Sequence, residues 1–140
     1  MYETSYGLLI WRKNKNEVEF LIVHPSGSYN FGAPYNIPKG RPKNDEAPLD
    51  SAIRETFEET GISGKNFFYL GEIEYKSKSN KHVHCWLAEY DKGQVDEYGS
   101  CPNKDWENDE ARFYPHTNAL SMVKLDIKPL LWLAQKKLGL

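Results

Sequence analysis

The chain has 140 residues, 39% of them hydrophobic, with 18 Lys+Arg against 20 Asp+Glu and a formal net charge of −2. This composition suits one globular domain over 1–140, and it excludes both a disordered chain and one built to neutralise a nucleic-acid backbone. The longest apolar runs, Gly7–Trp11 and Phe20–Val23, fall far short of the ~20 residues of a membrane span.

In chain order, Tyr6–Trp11 and Glu17–Val23 predict two antiparallel strands joined by the polar turn Arg12–Asn16. His24–Pro34 reads as a long aromatic loop, and Tyr35–Pro38 as a short strand. After the polar Arg41–Pro48 a helix is predicted over Leu49–Thr60, stopped by Gly61. Phe67–Tyr75 and Val83–Tyr90 read as strands around the turn Lys76–Lys81. Asp91–Asp109 reads as a second loop and Ala111–Tyr114 as a last short strand. Ile127, Leu130, Leu131, Ala134 and Leu138 follow helical spacing and predict a C-terminal amphipathic helix. The pattern is α/β, a mixed sheet sandwiched between helices. No leader-like stretch opens the chain, and Cys85 and Cys101 make no disulfide framework. The expectation is a cytoplasmic protein with no nucleic-acid polymer and no membrane as partner; no segment marks an oligomer interface.

On a wheel of about 100° per residue, Leu49, Ala52, Ile53, Thr56, Phe57 and Thr60 form one apolar stripe, and Glu55, Glu58 and Glu59 project beside it. Three carboxylates at i, i+3 and i+4 repel one another unless they face water or share a cation. Oxygen ligands of this kind suit Mg²⁺ or Mn²⁺. Taken alone, the triplet reads as a solvated acidic face.

Its surroundings change that reading. Gly40, Glu46, Arg54, Glu55, Glu58, Glu59, Gly61 and Ile62 stand at the spacing G-x5-E-x7-R-E-U-x-E-E-x-G-U, where U is apolar and Thr56 takes the first U slot. This resembles the signature of the Nudix hydrolases. The resemblance implies a mixed sheet between helices and Mg²⁺-dependent (or Mn²⁺-dependent) hydrolysis of a nucleoside diphosphate linked to a further group. It implies that Glu55, Glu58 and Glu59 bind the cations with the Gly40 carbonyl, that Arg54 orients a motif glutamate, and that Glu46 braces the loop. A base is still needed to take a proton from water: Glu58 in the helix, or Glu107 or Glu110 in the acidic stretch before the last strand.

The Tyr35–Gly40 segment is similar to the strand-P-K-G entry of Nudix enzymes that act on dinucleoside polyphosphates and inositol pyrophosphates. Tyr35 and Lys39 of this segment are candidate substrate contacts, Lys39 toward an additional phosphate, and Lys81 and His84, in a separate stretch, are candidates for a phosphate-side contact. Tyr29, Phe31 and Trp106 either stack a purine or anchor their loops. His82 and His84 share a strand face but have no companion ligands for zinc in the sequence, and Cys85 reads as strand core. The expected substrate is a small-molecule nucleotide, a dinucleoside polyphosphate such as diadenosine tetraphosphate. The alternatives are a (deoxy)nucleoside triphosphate, a nucleotide sugar, an inositol pyrophosphate, or a domain that only senses nucleotide.

Overall fold

The computed structural model describes residues 3–27, 31–76, 80–102 and 105–140. The strands are β1 (Glu3–Asn14), β2 (Glu17–Pro25), β3 (Lys39–Gly40), β4 (Ser63–Glu74), β5 (Lys81–Lys92) and β6 (Asn108–Pro115). The helices are α1 (Pro48–Thr60), α2 (His116–Met122) and α3 (Lys128–Lys137). The sheet runs in the order β4-β5-β1-β2-β6, with β3 added against β1. β1 and β5 are parallel and the other pairs antiparallel. The mixed sheet between helices is the predicted architecture.

The β1–β2 hairpin closes on Lys15 and Asn16, both at positive φ, between the paired Asn14 and Glu17. Two such residues give a turn whose twist matches that of the flanking strands. Alternation along the strands then splits the apolar side chains between two layers. Leu9, Phe20, Ile22, Val83 and Cys85 pack with Ile127, Leu130, Leu131 and Ala134 beside α3. Leu8, Ile10, Leu21, Val23 and Ala88 pack on the other face with Ala52 of α1. Each fully buried Leu or Ile contributes about 1.5–3 kcal/mol, so α3 is held chiefly by Leu130 and Leu131, whereas α1 buries Ala52 together with Ser51, Thr56, Glu59 and Thr60.

Several expectations are corrected. Tyr35–Pro38 is not a strand: Asn36 makes an isolated bridge to Val23, Tyr35 another to Val123, and the paired residues are Lys39 and Gly40. Pro34 and Pro38 have no N–H to extend a ladder. β4 begins at Ser63 and β6 at Asn108, each earlier than predicted, and the seven-residue α2 lies in a stretch for which the sequence carried no prediction. In α1, Phe57 is 57% exposed although the wheel places it in the apolar stripe, and Ser51 is fully buried because its hydroxyl turns to Glu46 at 2.7 Å. Thr56 is buried, and Gly61 ends the helix at φ 74° with its N–H donating to the Phe57 carbonyl. Among the described residues no helix is long and apolar enough to cross a membrane.

Candidate active site

The carboxylate helix reaches the sheet where β3 lies along β1, with Gly40 opposite Tyr6. Gly40 is required there by close approach: a Cβ at this position would stand 2.1 Å from Glu55 Cδ. The missing side chain is what lets the Glu55 carboxylate lie against the backbone. One turn further on, Glu59 is only 6% exposed. Its Oε2 accepts the Lys39 backbone N–H at 3.1 Å and its Oε1 accepts Asn108 Nδ2 at 3.1 Å.

Arg54 ties the motif together. Its Nε donates to Glu46 Oε2 at 2.9 Å, and its Nη1 donates to Glu55 Oε1 at 2.9 Å and to Glu58 at 3.2 Å. Its Nη2 donates to the Arg41 carbonyl at 3.0 Å. Glu46 also accepts the Ser51 hydroxyl and the Lys43 N–H. The Arg54 guanidinium, with these two donors, holds the Glu46 carboxyl down at about 2. One guanidinium thus fixes the loop before α1 and two carboxylates on α1.

Burial acts in the opposite direction on the inner acids. It lifts Glu55, against the pull of Arg54 and with help from Glu58 and Glu107. Burial lifts Glu59 to about 8, with the neighbouring Glu55 and Asp105 adding to it against the Asn108 amide. A carboxylate with two neutral donors and two acidic neighbours needs a cation to stay ionised near neutrality. The donor set is all oxygen, which fits Mg²⁺ or Mn²⁺. Among the described residues no three His, Cys, Asp or Glu side chains already stand together at coordinating distance; Glu55 and Glu58 are drawn instead to Arg54.

A cavity of about 320 Å³ opens beside these acids, lined among others by Ala33, Asn36, Lys39, Glu59, Glu107 and Lys124. Of the two acids considered as a base beyond α1, Glu107, just before β6, lines this cavity. Glu110 does not line it: the carboxylate accepts the Tyr35 hydroxyl at 3.0 Å and the Tyr114 hydroxyl as well. Tyr35 itself lies tilted against the His24 ring, and burial with the Tyr114 and Glu110 bonds raises its phenol above the ordinary tyrosine range.

Lys39 and Lys81 come together, joined by a lysine the sequence did not single out. The ammonium groups of Lys39, Lys81 and Lys124 stand 6.0, 5.0 and 5.0 Å from the centre of the Tyr75 ring. Burial, followed by the charge of Lys81, pulls Lys39 down to about 8. An anion placed among the three would reverse that shift. His84 belongs elsewhere. It lies on the other face of β5 from Lys81, where Nδ1 meets the Tyr69 hydroxyl at 2.7 Å and Nε2 meets Glu72 at 3.2 Å. His82 also meets Glu72.

Phe31 is 93% and Trp106 84% exposed, so neither anchors its loop in the core, while Tyr29 lies outside the described residues. Cys85 is fully buried, as expected. The roles of Asn108, Lys124 and Tyr75 are not visible in the sequence, because Asn108 meets Glu59 across 49 positions and Lys124 meets Tyr75 across a similar distance in the chain.

The NUDIX domain family model matches residues 1–133. The chain is 35% identical over 94 residues to the asymmetrical bis(5'-nucleosyl)-tetraphosphatase of Rattus norvegicus, covering 59% of this chain and 62% of that one. It is 33% identical over 86 residues to Nudix hydrolase 21, chloroplastic, of Arabidopsis thaliana, covering 59% and 42%. The chain thus matches less than two thirds of the length of these curated relatives. In fold it is similar to the C. elegans Ap4A hydrolase in a binary complex, with a TM-score of 0.77, 23% identity and 97% of each chain covered. It is also similar to the NUDIX domain of Shewanella oneidensis NrtR complexed with ADP ribose, with a TM-score of 0.80, 15% identity, and 99% and 89% covered. A signature running unbroken from Gly40 to Ile62 on a carboxylate helix, inside a family match over nearly the whole length, makes this chain a member of the Nudix family.

Proposed function

We propose that the chain, acting as one Nudix domain, is a divalent-metal-dependent hydrolase of nucleotides carrying a polyphosphate, with a dinucleoside polyphosphate such as diadenosine tetraphosphate as its preferred substrate. The observation that carries this reading is the Lys39–Lys81–Lys124 group around Tyr75, next to the Glu55–Glu59 acids. Three ammonium groups kept close together at a cost in mutual repulsion suit a ligand with several negative charges. A dinucleoside tetraphosphate offers such a run of phosphates. The likeness to the asymmetrical tetraphosphatase over 94 residues supports the same class.

In this reading Glu55, Glu58 and Glu59, with the Gly40 carbonyl, hold Mg²⁺ or Mn²⁺. When bound, the cation neutralises phosphate oxygens and acidifies water, as divalent ions do in phosphoryl transfer. Arg54 keeps Glu55 and Glu58 oriented. Glu107, facing the same cavity, takes the proton of the attacking water, while Glu110 stays engaged with two tyrosines. The lysines position the phosphate chain, and orientation supplies much of the acceleration. All motif acids being kept supports an enzyme over a domain that only senses nucleotide.

A turnover screen with Mg²⁺ and Mn²⁺ over dinucleoside polyphosphates, nucleoside triphosphates, nucleotide sugars and inositol pyrophosphates, with products identified by mass, tests the proposal. Diadenosine tetraphosphate should show the highest kcat/KM, and Glu58→Gln and Glu59→Gln should each lower kcat by several orders of magnitude. Lys39→Ala and Lys124→Ala should each raise its KM about tenfold, as loss of a charged contact does, and change nucleotide-sugar turnover less. Inertness toward every compound, or equal losses on both substrate classes, refutes the assignment.

A further inference from the structure

Two acidic segments meet beside the cavity, and one amide stands between them. Asn108, 7% exposed at the start of β6, donates from Nδ2 to Glu59 Oε1 at 3.1 Å and to Asp105 Oδ1 at 3.3 Å. Carboxylates offer only acceptors, so Glu59 and Asp105 alone would repel here. A primary amide places two N–H donors on a single nitrogen without adding charge, which an aliphatic side chain cannot do and a hydroxyl does only half as well.

The same segment is pinned through its backbone. The Asp105 N–H donates to the Glu59 carbonyl at 3.3 Å, and the Glu107 carbonyl accepts the Ser26 N–H at 2.8 Å. Residues 105–108 are therefore tied on one side to the end of α1 and on the other to the chain leaving β2. Glu107 is carried between these ties and faces the cavity. Each Glu59 oxygen receives one hydrogen bond, Oε1 from Asn108 and Oε2 from Lys39. A carboxylate oxygen has a further lone pair, and with both oxygens held from the protein side the remaining pairs are fixed in direction.

We infer that Asn108 is a positioning residue of the carboxylate centre: it sets the orientation in which Glu59 presents its free lone pairs to a divalent cation, and it holds in place the segment that brings Glu107 to the cavity. The inference rests on the reading of Glu59 as a cation ligand. Outer partners of ligating groups act in this way, aiming the ligand instead of touching the ion.

The test is Mn²⁺ titrated alone, followed by the electron paramagnetic resonance of the free ion, into the full chain and into Asn108→Leu and Asn108→Ser. Circular dichroism and Tm record folding, and Mg²⁺-dependent kinetics run in parallel. Asn108→Leu should weaken Mn²⁺ binding about 10- to 100-fold and lower kcat by a comparable factor, with KM changed less than about twofold. Asn108→Ser, with one donor left, should fall between; it carries the test if the leucine variant fails to fold. A folded variant that binds Mn²⁺ and turns over like the parent, or that loses Tm alone, overturns the inference. A parent protein that takes up no Mn²⁺ overturns the cation reading and this inference with it, so the two failures are told apart.

Discussion

Glu46 and Glu59 respond to pH in opposite senses. Burial lifts Glu59 to about 8 from an ordinary 4.5, so the folded protein holds this proton more tightly than the unfolded chain. Its contribution to stability is complete below about 4.5 and is lost as pH rises toward 8. Glu46, held at about 2 by Arg54 with the Lys43 N–H and Ser51 hydroxyl, contributes above about 4.5 and loses that contribution as pH falls toward 2. In chelator, Glu59→Gln should therefore flatten the fall in Tm between pH 5 and 8, as calorimetry would show, and Mg²⁺ should raise the Tm of the parent but not of the variant. An unchanged slope in the variant would mean that Glu59 is not the proton-holding group. These roles were only partly visible in the residue string. Arg54, Glu46 and the three acids fall within one motif, so spacing finds them. Asn108 lies 49 positions from its partner Glu59, and chain pattern carries no trace of that meeting.

The elements show the same division. The β1–β2 hairpin and the stop at Gly61 were legible because their causes are local: a polar turn between apolar runs, and a residue that accepts positive φ. β3 was not, since two residues become a strand only because β1 runs alongside them. α2 is too short to establish a period. Gly40→Ala tests the β3–α1 approach: a methyl group 2.1 Å from Glu55 Cδ must push that carboxylate away. The variant should keep its circular dichroism and lose most of its Mn²⁺ affinity; full affinity would show that Glu55 does not need the close approach. Leu131→Ala, in a fully buried position on α3, should behave the other way. Denaturant unfolding should register a loss of about 2–5 kcal/mol with Mn²⁺ affinity unchanged, because α3 packs against the face of the sheet opposite α1.

Over the whole molecule, β1 is the member on which the others depend. It pairs with β2, β3 and β5, and its alternating side chains enter both apolar layers. Among the described residues β4 pairs only with β5, and its register with β5 slips at three places. Breaks of this kind discourage a strand edge from pairing with another chain. Hydrogen exchange should accordingly be slowest at Leu8–Ile10 and Cys85–Ala88 and faster along the outer strand at Phe67–Tyr69; equal protection at the two would contradict the central role of β1. The parallel pairing also sets an order of events during synthesis. The ribosome releases α1, with every acid of the motif, well before Cys85 and Ala88, so the emerging polypeptide must wait with the β5 edge of Leu8–Ile10 unpaired. A nascent chain stalled shortly after Gly61 would therefore carry all the motif glutamates and remain an unfinished, sticky client for chaperones.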